Sequence, residues 1–198
     1  KGKPSRSFGN TDFSNYLFLS SLYAKAGIES NALEAVRTAI SIAKNKESRQ
    51  IGKVNLAFIQ QSFGRYDLAE KNLREILKES PGYPVALNNL GYLLLKQNRN
   101  LKEALQLIEE AVKIEPRNPS YLDSLGWAYF KLRRFDKAET FLKKAFRFDS
   151  TSATILEHLG DVYREKGKLN EAKELWQKAL VFASESKDTD RIRFKLTR

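Results

Sequence analysis

Cysteine is absent from the 198 residues, which excludes disulfides, thiolate metal sites and cysteine nucleophiles but fixes no redox compartment. Histidine occurs once, as His158, so a multi-histidine metal centre within the chain is excluded too. No apolar run approaches the roughly 18 residues that a membrane-crossing helix needs. The opening KGKPSRSFGN is basic and polar with no apolar segment behind it, and so lacks signal-peptide character. Because the chain starts at Lys1 and not at Met, it reads as a processed product or a fragment, with any targeting signal upstream of Lys1. The glycines are spread along the chain, so no phosphate-cradling loop is present. A single histidine without a motif-level nucleophile leaves no enzyme signature. The expectation is a chain with no catalytic residue, cofactor or bound metal.

What is present is globular in character: 41% hydrophobic and 11% aromatic residues. The net charge of +11 raises the question of nucleic acid or an acidic membrane, which the placement of the charges must answer. Self-comparison at a period near 34 divides the chain into units 13–49, 50–83, 84–118, 119–152 and 153–186. The first unit is longer by a few residues, assigned to a linker Asn45–Arg49, and the third has an extra residue near Arg99–Leu101. Within each unit two amphipathic helices are expected.

The columns of this alignment are chemically specific. A large apolar residue recurs as Leu19, Leu56, Leu90, Leu125 and Leu159, followed by Ser20, Ala57, Gly91, Gly126 and Gly160. A glycine inside a helix costs about 1 kcal/mol against alanine, which makes sense where a second helix crosses too closely for a side chain. The turn has Gly27, Gly64, Asn98, Arg133 and Gly167, mostly residue types that suit a left-handed helix end. The second helix opens on Ala32, Ala69, Ala104, Ala138 and Ala172. Seven residues later come Ala39, Ile76, Ala111, Ala145 and Ala179. Pro81 and Pro116 close two units.

These columns, with Tyr129 and Tyr163 in a tyrosine position, resemble the tetratricopeptide repeat family over roughly residues 13–186. The wording NNLGYLLL and LDSLGWAYFKL also resembles the C-terminal arrays of bacterial tetratricopeptide proteins. The resemblance implies an all-α, right-handed α-solenoid of about five helix-turn-helix repeats whose first helices line a concave surface. Units one and two depart from the pattern at Ser20, Ala57, Gln60 and Ile76, where looser packing or a shifted phase is expected. Residues 1–12 read as a flexible basic arm. Residues 187–198 read either as a helix capping the last unit or as a strand of alternating charge and apolar side chains, with the helix favoured because a stacked array needs its end covered.

Helical spacing then selects residues lying away from the Leu–Gly face. The ninth place reads Ser21, Phe58, Tyr92, Trp127 and Asp161; the fifth Leu17, Val54, Asn88, Asp123 and Glu157; the sixth Phe18, Asn55, Asn89, Ser124 and His158. Rings beside amides are what a peptide-binding groove needs, the rings supplying area and the amides meeting a peptide backbone. The alternative is that Phe58, Tyr92 and Trp127 only pack on neighbouring helices. The expected partner-binding set is Asn55, Phe58, Asn88, Asn89, Tyr92, Asp123, Ser124, Trp127, His158 and Asp161. Phe58, Tyr92 and Trp127 would be anchors, and Asp123 and Asp161 selectors of basic residues. The family's carboxylate-clamp subclass is not matched, since Val54, Asn88 or Asp123, and Ser120 with Ser124 or Thr154 with His158, stand where its basic residues would be.

The basic residues Lys131, Arg133, Arg134, Lys137, Lys143, Lys144 and Arg147 fall on the turn and second helix of unit four, and further ones crowd the tail. Placed apart from the groove aromatics, they argue against nucleic acid, which asks for a basic stripe with stacking rings on one surface. The resulting expectation is a protein-interaction scaffold or adaptor holding a peptide or partner helix. Alternatives are nucleic-acid or acidic-surface binding through the basic rim, self-association, or a non-catalytic module of a larger enzyme or secretion assembly.

Overall fold

The computed structural model describes residues 11–184 and 186–197. The arm expected over 1–12 lies outside the described residues as far as residue 10, while Thr11 and Asp12 already belong to a helix. The chain is all-α, with eleven helices and no strand among the described residues. In order they are α1 (Thr11–Lys25), α2 (Glu29–Ile42), α3 (Lys46–Ser62), α4 (Tyr66–Glu79), α5 (Pro84–Lys96) and α6 (Leu101–Ile114). They continue as α7 (Pro119–Lys131), α8 (Phe135–Phe148), α9 (Ala153–Glu165), α10 (Leu169–Phe182) and α11 (Ser186–Leu196). Residues 46–49, read from sequence as linker, are the first turn of a longer α3. Its cap is Asn45, whose side-chain oxygen accepts a hydrogen bond from the Ser48 amide at 2.8 Å. The tail, for which sequence leaves helix and strand open, is helical from 186 to 196.

Two compact units make up the chain, Lys1–Ala86 and Leu87–Arg198, dividing in the first turn of α5. In the first, α1 packs on α2, α2 on α3 and α3 on α4. Ala32, Val36 and Ile59 are its buried cluster, flanked by Leu17, Tyr23, Leu33, Ile40 and Leu56. The departures from the repeat pattern are absorbed here. Ala57 and Ile76 are fully packed, and the buried Gln60 accepts from Asn72 Nδ2 at 2.7 Å where a tyrosine stands in other units.

In the second unit, α6 packs on α7, α7 on α8, α8 on α9, α9 on α10 and α10 on α11, while α7 also touches α9. The close crossing inferred from the glycine column is present. A Cβ on Gly126 would lie 2.6 Å from Leu142 Cγ, and one on Gly91 2.6 Å from Ile108 Cγ1. Each turn of the glycine–asparagine column ends its first helix left-handed, Arg133 included at φ 57. The paired bonds of the C-terminal motif accompany it: the Arg133 amide donates to the Phe130 carbonyl at 2.9 Å and the Arg134 amide to Tyr129 at 2.8 Å. Helix starts α7 and α9 are capped by Asn118 and Ser152, with Pro119 pre-set at the first position of α7. No described helix is long and apolar enough to cross a membrane.

Candidate partner-binding surfaces

The residues selected by sequence divide between the two units, and each unit treats them differently. In the first unit Phe58 is 60% exposed on α3, with half-buried Asn55 one turn before it on the same helix face. Asn55 turns its Nδ2 back to the Ile51 carbonyl at 3.0 Å. On α1, Phe18 at 66% and Leu22 at 46% exposure stand four residues apart and share a face. The first helices of this unit therefore offer large apolar side chains to solvent.

In the second unit the corresponding places are mostly closed. The sequence places Asn88, Asp123, Ser124, His158 and Asp161 away from packed surfaces, whereas the structure buries all five. Asn89, Tyr92 and Trp127 are half-buried. For Asp123, His158 and Asp161 the physical reason is pairing with a helix about one repeat away, to which the pattern within one unit is blind. His158 Nδ1 on α9 meets the Asp123 carboxylate on α7 at 2.9 and 3.1 Å. The imidazole also stacks on the Trp127 ring, 4.1 Å between centroids, and Trp127 stacks on Phe130 at 4.6 Å. Trp127 is thus a packing element between α7 and α9 as well as a candidate anchor. Burial first, and then the nearby Asp123 charge, push the Tyr92 phenol up to about 12.

One step along, the same pattern recurs with α11. Arg191 forks onto Glu157, Nε to Oε1 at 2.7 Å and Nη2 to Oε2 at 2.6 Å. Lys195 Nζ bridges Glu157 Oε1 at 2.6 Å and both Asp161 oxygens at 2.8 and 2.6 Å. Burial pushes the Glu157 carboxyl up, but the bonds from Arg191 and Lys195 outweigh it and hold the group below the usual carboxylate range. Composition alone marks Arg191 and Lys195 only as part of a basic tail. A sharper signal is in the sequence, since Glu157–Arg191 and Asp161–Lys195 are opposite charges each separated by 34 residues, one repeat period.

Of the basic residues on the turn and second helix of the fourth repeat, Lys131 departs from the expected separation from the groove aromatics, lying 5.5 Å over Trp127. Others sit over rings outside that set: Lys137 5.3 Å over Tyr129, Lys144 5.1 Å over Phe141 and Arg133 5.3 Å over Phe135. The ammonium and guanidinium groups cover these rings, which leaves them as cation–π partners more than as open stacking platforms. Carboxylates interrupt the positive surface, for Lys166 is held by Asp136 at 2.7 Å and Glu139 at 2.6 Å. An open cleft of about 580 Å³ is lined by Arg133, Arg134, Lys137 and Lys166 together with Phe135, Asp136 and Glu165. Among the described residues no group of histidine, aspartate or glutamate is placed to hold a metal ion.

Comparison with known proteins agrees with the architecture. Family models described as tetratricopeptide repeat match residues 62–128, 119–152 and 152–185, and one described as anaphase-promoting complex subunit 5 matches 10–51. The TPR repeat-containing protein PA4667 of Pseudomonas aeruginosa is 36% identical over 99 residues, covering 49% of this chain and 17% of that protein. Photosystem I assembly protein Ycf3 of Prochlorococcus marinus is 29% identical over 114 residues, covering 51% of this chain and 65% of its own. The chain therefore spans less than a fifth of PA4667. Among solved structures, the TPR protein TTC0263 of Thermus thermophilus superposes with a TM-score of 0.78 at 25% identity, covering 94% of this chain and all of that one. PilF of Pseudomonas aeruginosa does so with 0.68 at 18% identity, covering 95% and 88%. With its glycine–alanine crossings, left-handed turns and paired helices, the chain belongs to the tetratricopeptide repeat family and is an all-α solenoid of such repeats.

Proposed function

We propose that this chain is a non-catalytic protein-interaction scaffold that holds a peptide or partner helix on its first-helix surfaces. The observation that carries the reading is the exposure of large apolar side chains on both first helices of the first unit, Phe18 and Leu22 on α1 and Phe58 on α3. Apolar side chains clustered on a surface mark interaction sites, and large rings bring buried area at low entropic cost. Asn55, on the Phe58 face, supplies amide groups able to meet a partner backbone once its local bond to Ile51 is exchanged. The family's curated relatives support the coarser statement, Ycf3 being named an assembly protein and BBS4 of Bos taurus a BBSome complex member.

Within this proposal, Phe58 and Asn55 are the primary contacts. Asn89, Tyr92 and Trp127 are secondary ones, each half-buried in the second unit. Asn88, Asp123, Ser124, His158 and Asp161 shape that surface from beneath, and a partner reaches them only by replacing their present neighbours. The test is affinity capture from the native source with wild type, Phe58→Ala and Trp127→Ala side by side. Loss of the captured protein with Phe58→Ala supports the reading, and unchanged recovery from both variants refutes it.

A second reading, an acidic partner on the basic rim, is favoured by Arg133, Arg134 and Lys137 on a cleft whose lining also includes Asp136, Glu165 and the paired Lys166. Such binding would weaken steeply with salt. Capture that persists in 0.5 M NaCl (about 4 Å of screening length) would set this reading aside.

A further inference from the structure

We infer that α11 is a displaceable occupant of an acidic helix-binding site on α9, and that the site's partner is a basic amphipathic helix carrying arginine and lysine four residues apart. The inference rests on the reading of first-helix surfaces as partner-binding, and it concerns the second unit alone. Glu157 and Asp161 stand four apart on α9, so both carboxylates project from one face. Their side chains are only 3% and 6% exposed. The hydrogen bonds that reach those carboxylate oxygens come from Arg191 and Lys195, themselves four apart on α11. The forked Arg191 contact has the two-bond geometry by which guanidinium recognises a carboxylate, which gives the site direction as well as charge. Between the two cations Ile192 enters the apolar cluster of Leu156, Ala172, Trp176 and Ala179 and is fully buried. The recognised pattern is thus Arg-Ile-x-x-Lys on one helical face.

The lightness of its hold on the second unit makes α11 exchangeable. Its wholly buried contribution to the core, among the described residues, is Ile192, whereas α10 contributes Ala172, Trp176 and Ala179. Leu196 packs half-buried against the same cluster, the rest of α11's described hold is ionic, and of the two cations that reach α9, Arg191 is about half exposed at 49%. An external helix of the same pattern faces a tethered competitor, whose effective concentration on a short linker is on the order of millimolar. Binding to the intact chain is therefore weak until α11 is loosened, which is the signature of an occupied site.

The test uses the full chain and a fluorescein-labelled peptide of sequence SESKDTDRIRFKLTR. Anisotropy is measured on wild type and on Arg191→Glu/Lys195→Glu, in which α11 repels its own site. The expected result is at least tenfold tighter binding to the double variant than to wild type, weakening with added salt. Binding should also be lost when the peptide carries glutamate at the places corresponding to Arg191 and Lys195. Equal binding to both chains, or none to the variant, overturns the inference. Should the double variant lose helical circular dichroism, hydrogen exchange on the wild-type chain decides. Amides of 186–196 exchanging at least tenfold faster than those of α9 and α10, and faster still at high salt, support displacement. Exchange of α11 only together with α9 and α10 refutes it. A concentration-dependent dimer in sedimentation that dissolves in the double variant would make the occupant a second copy and refute the assignment to a separate partner. None of these outcomes depends on Phe58, whose substitution reads the proposed function separately.

Discussion

Replacing Gly160 by alanine adds one methyl group where the structure has no room for it. The new Cβ would stand 2.5 Å from Trp176 Nε1 and 2.6 Å from Cδ1, with the Ala172 carbonyl oxygen 3.2 Å away. The indole cannot simply swing aside, because Trp176 is fully buried among Leu156, Ala179 and Ile192. Its Nε1 also donates to the Glu157 carbonyl at 3.3 Å. Overpacking a close-packed core costs about 1–3 kcal/mol, and a weakened hydrogen bond about 1 kcal/mol more. Against this, alanine gains about 1 kcal/mol over glycine within a helix. The net expectation is destabilisation by about 1–3 kcal/mol. Gly82 is the control: nothing lies within 4 Å of the position a methyl group would take there, so Gly82→Ala should stay within about 0.5 kcal/mol of wild type. Urea unfolding followed by circular dichroism measures both variants. Tryptophan fluorescence adds a reading confined to the second unit, where Trp127 and Trp176 lie. If Gly160→Ala proves as stable as Gly82→Ala, the close crossing of α9 and α10 does not limit packing and the reasoning fails.

The Tyr92 phenol, raised to about 12 by burial and then by the Asp123 charge, should titrate in absorbance well after an ordinary tyrosine. Asp123→Asn should bring it down, and an unmoved titration would remove Asp123 as a cause. Burial pushes the Glu139 carboxyl up, yet hydrogen bonds from Lys143 and Lys166 outweigh it and bring it down to about 2. Its folded value is therefore depressed from the ordinary 4.5, so its contribution is complete above that range and is lost as pH falls from 4.5 towards 2. Denaturation midpoints of Glu139→Gln should lose that part of the acid decline, whereas a decline parallel to wild type would contradict the assignment. Finally, Arg133 holds φ 57, a conformation that costs a side-chain-bearing residue about 1–2 kcal/mol. Arg133→Gly removes this strain but also the cation over Phe135, worth about 0.5–1 kcal/mol, so a gain of about 0.5 kcal/mol is expected in thermal or urea melts. Destabilisation would mean that the Phe135 contact outweighs the strain.

The parts of the fold legible in the sequence are those fixed by contacts that recur in every unit. Leu125, Gly126, Ala138 and Ala145 occupy columns that repeat one period away, so periodicity alone reveals them. The turn column is readable even at Arg133, where the residue type argues against a left-handed conformation, because the paired bonds closing each first helix impose it. The start of α3 is not readable in that way. Its additional turn from Lys46 has no counterpart in other units, and alignment by period turns such an insertion into a linker. The candidate site residues are legible, but their surroundings are not. Asp123, His158 and Asp161 face a groove when each unit is taken alone, whereas the partner of each lies about one repeat period away, on another helix of the stack. Asp123 and His158 are 35 apart, Asp161 and Lys195 34. Charge pairs at the repeat period carry information that hydrophobic periodicity cannot.

On the proposed function, partner binding by the first unit rests on the exposed apolar side chains of α1 and α3 and not on the Asp123–His158 pair sealed in the second unit. Calorimetric titration of the captured partner against wild type, Phe58→Ala and His158→Ala tests it most directly. An exposed anchor at a hot spot costs at least about 2 kcal/mol when truncated, roughly thirtyfold in affinity. A loss of that order is expected for Phe58→Ala, with His158→Ala binding within about threefold of wild type. The reverse order, affinity lost with His158→Ala and kept with Phe58→Ala, would contradict it.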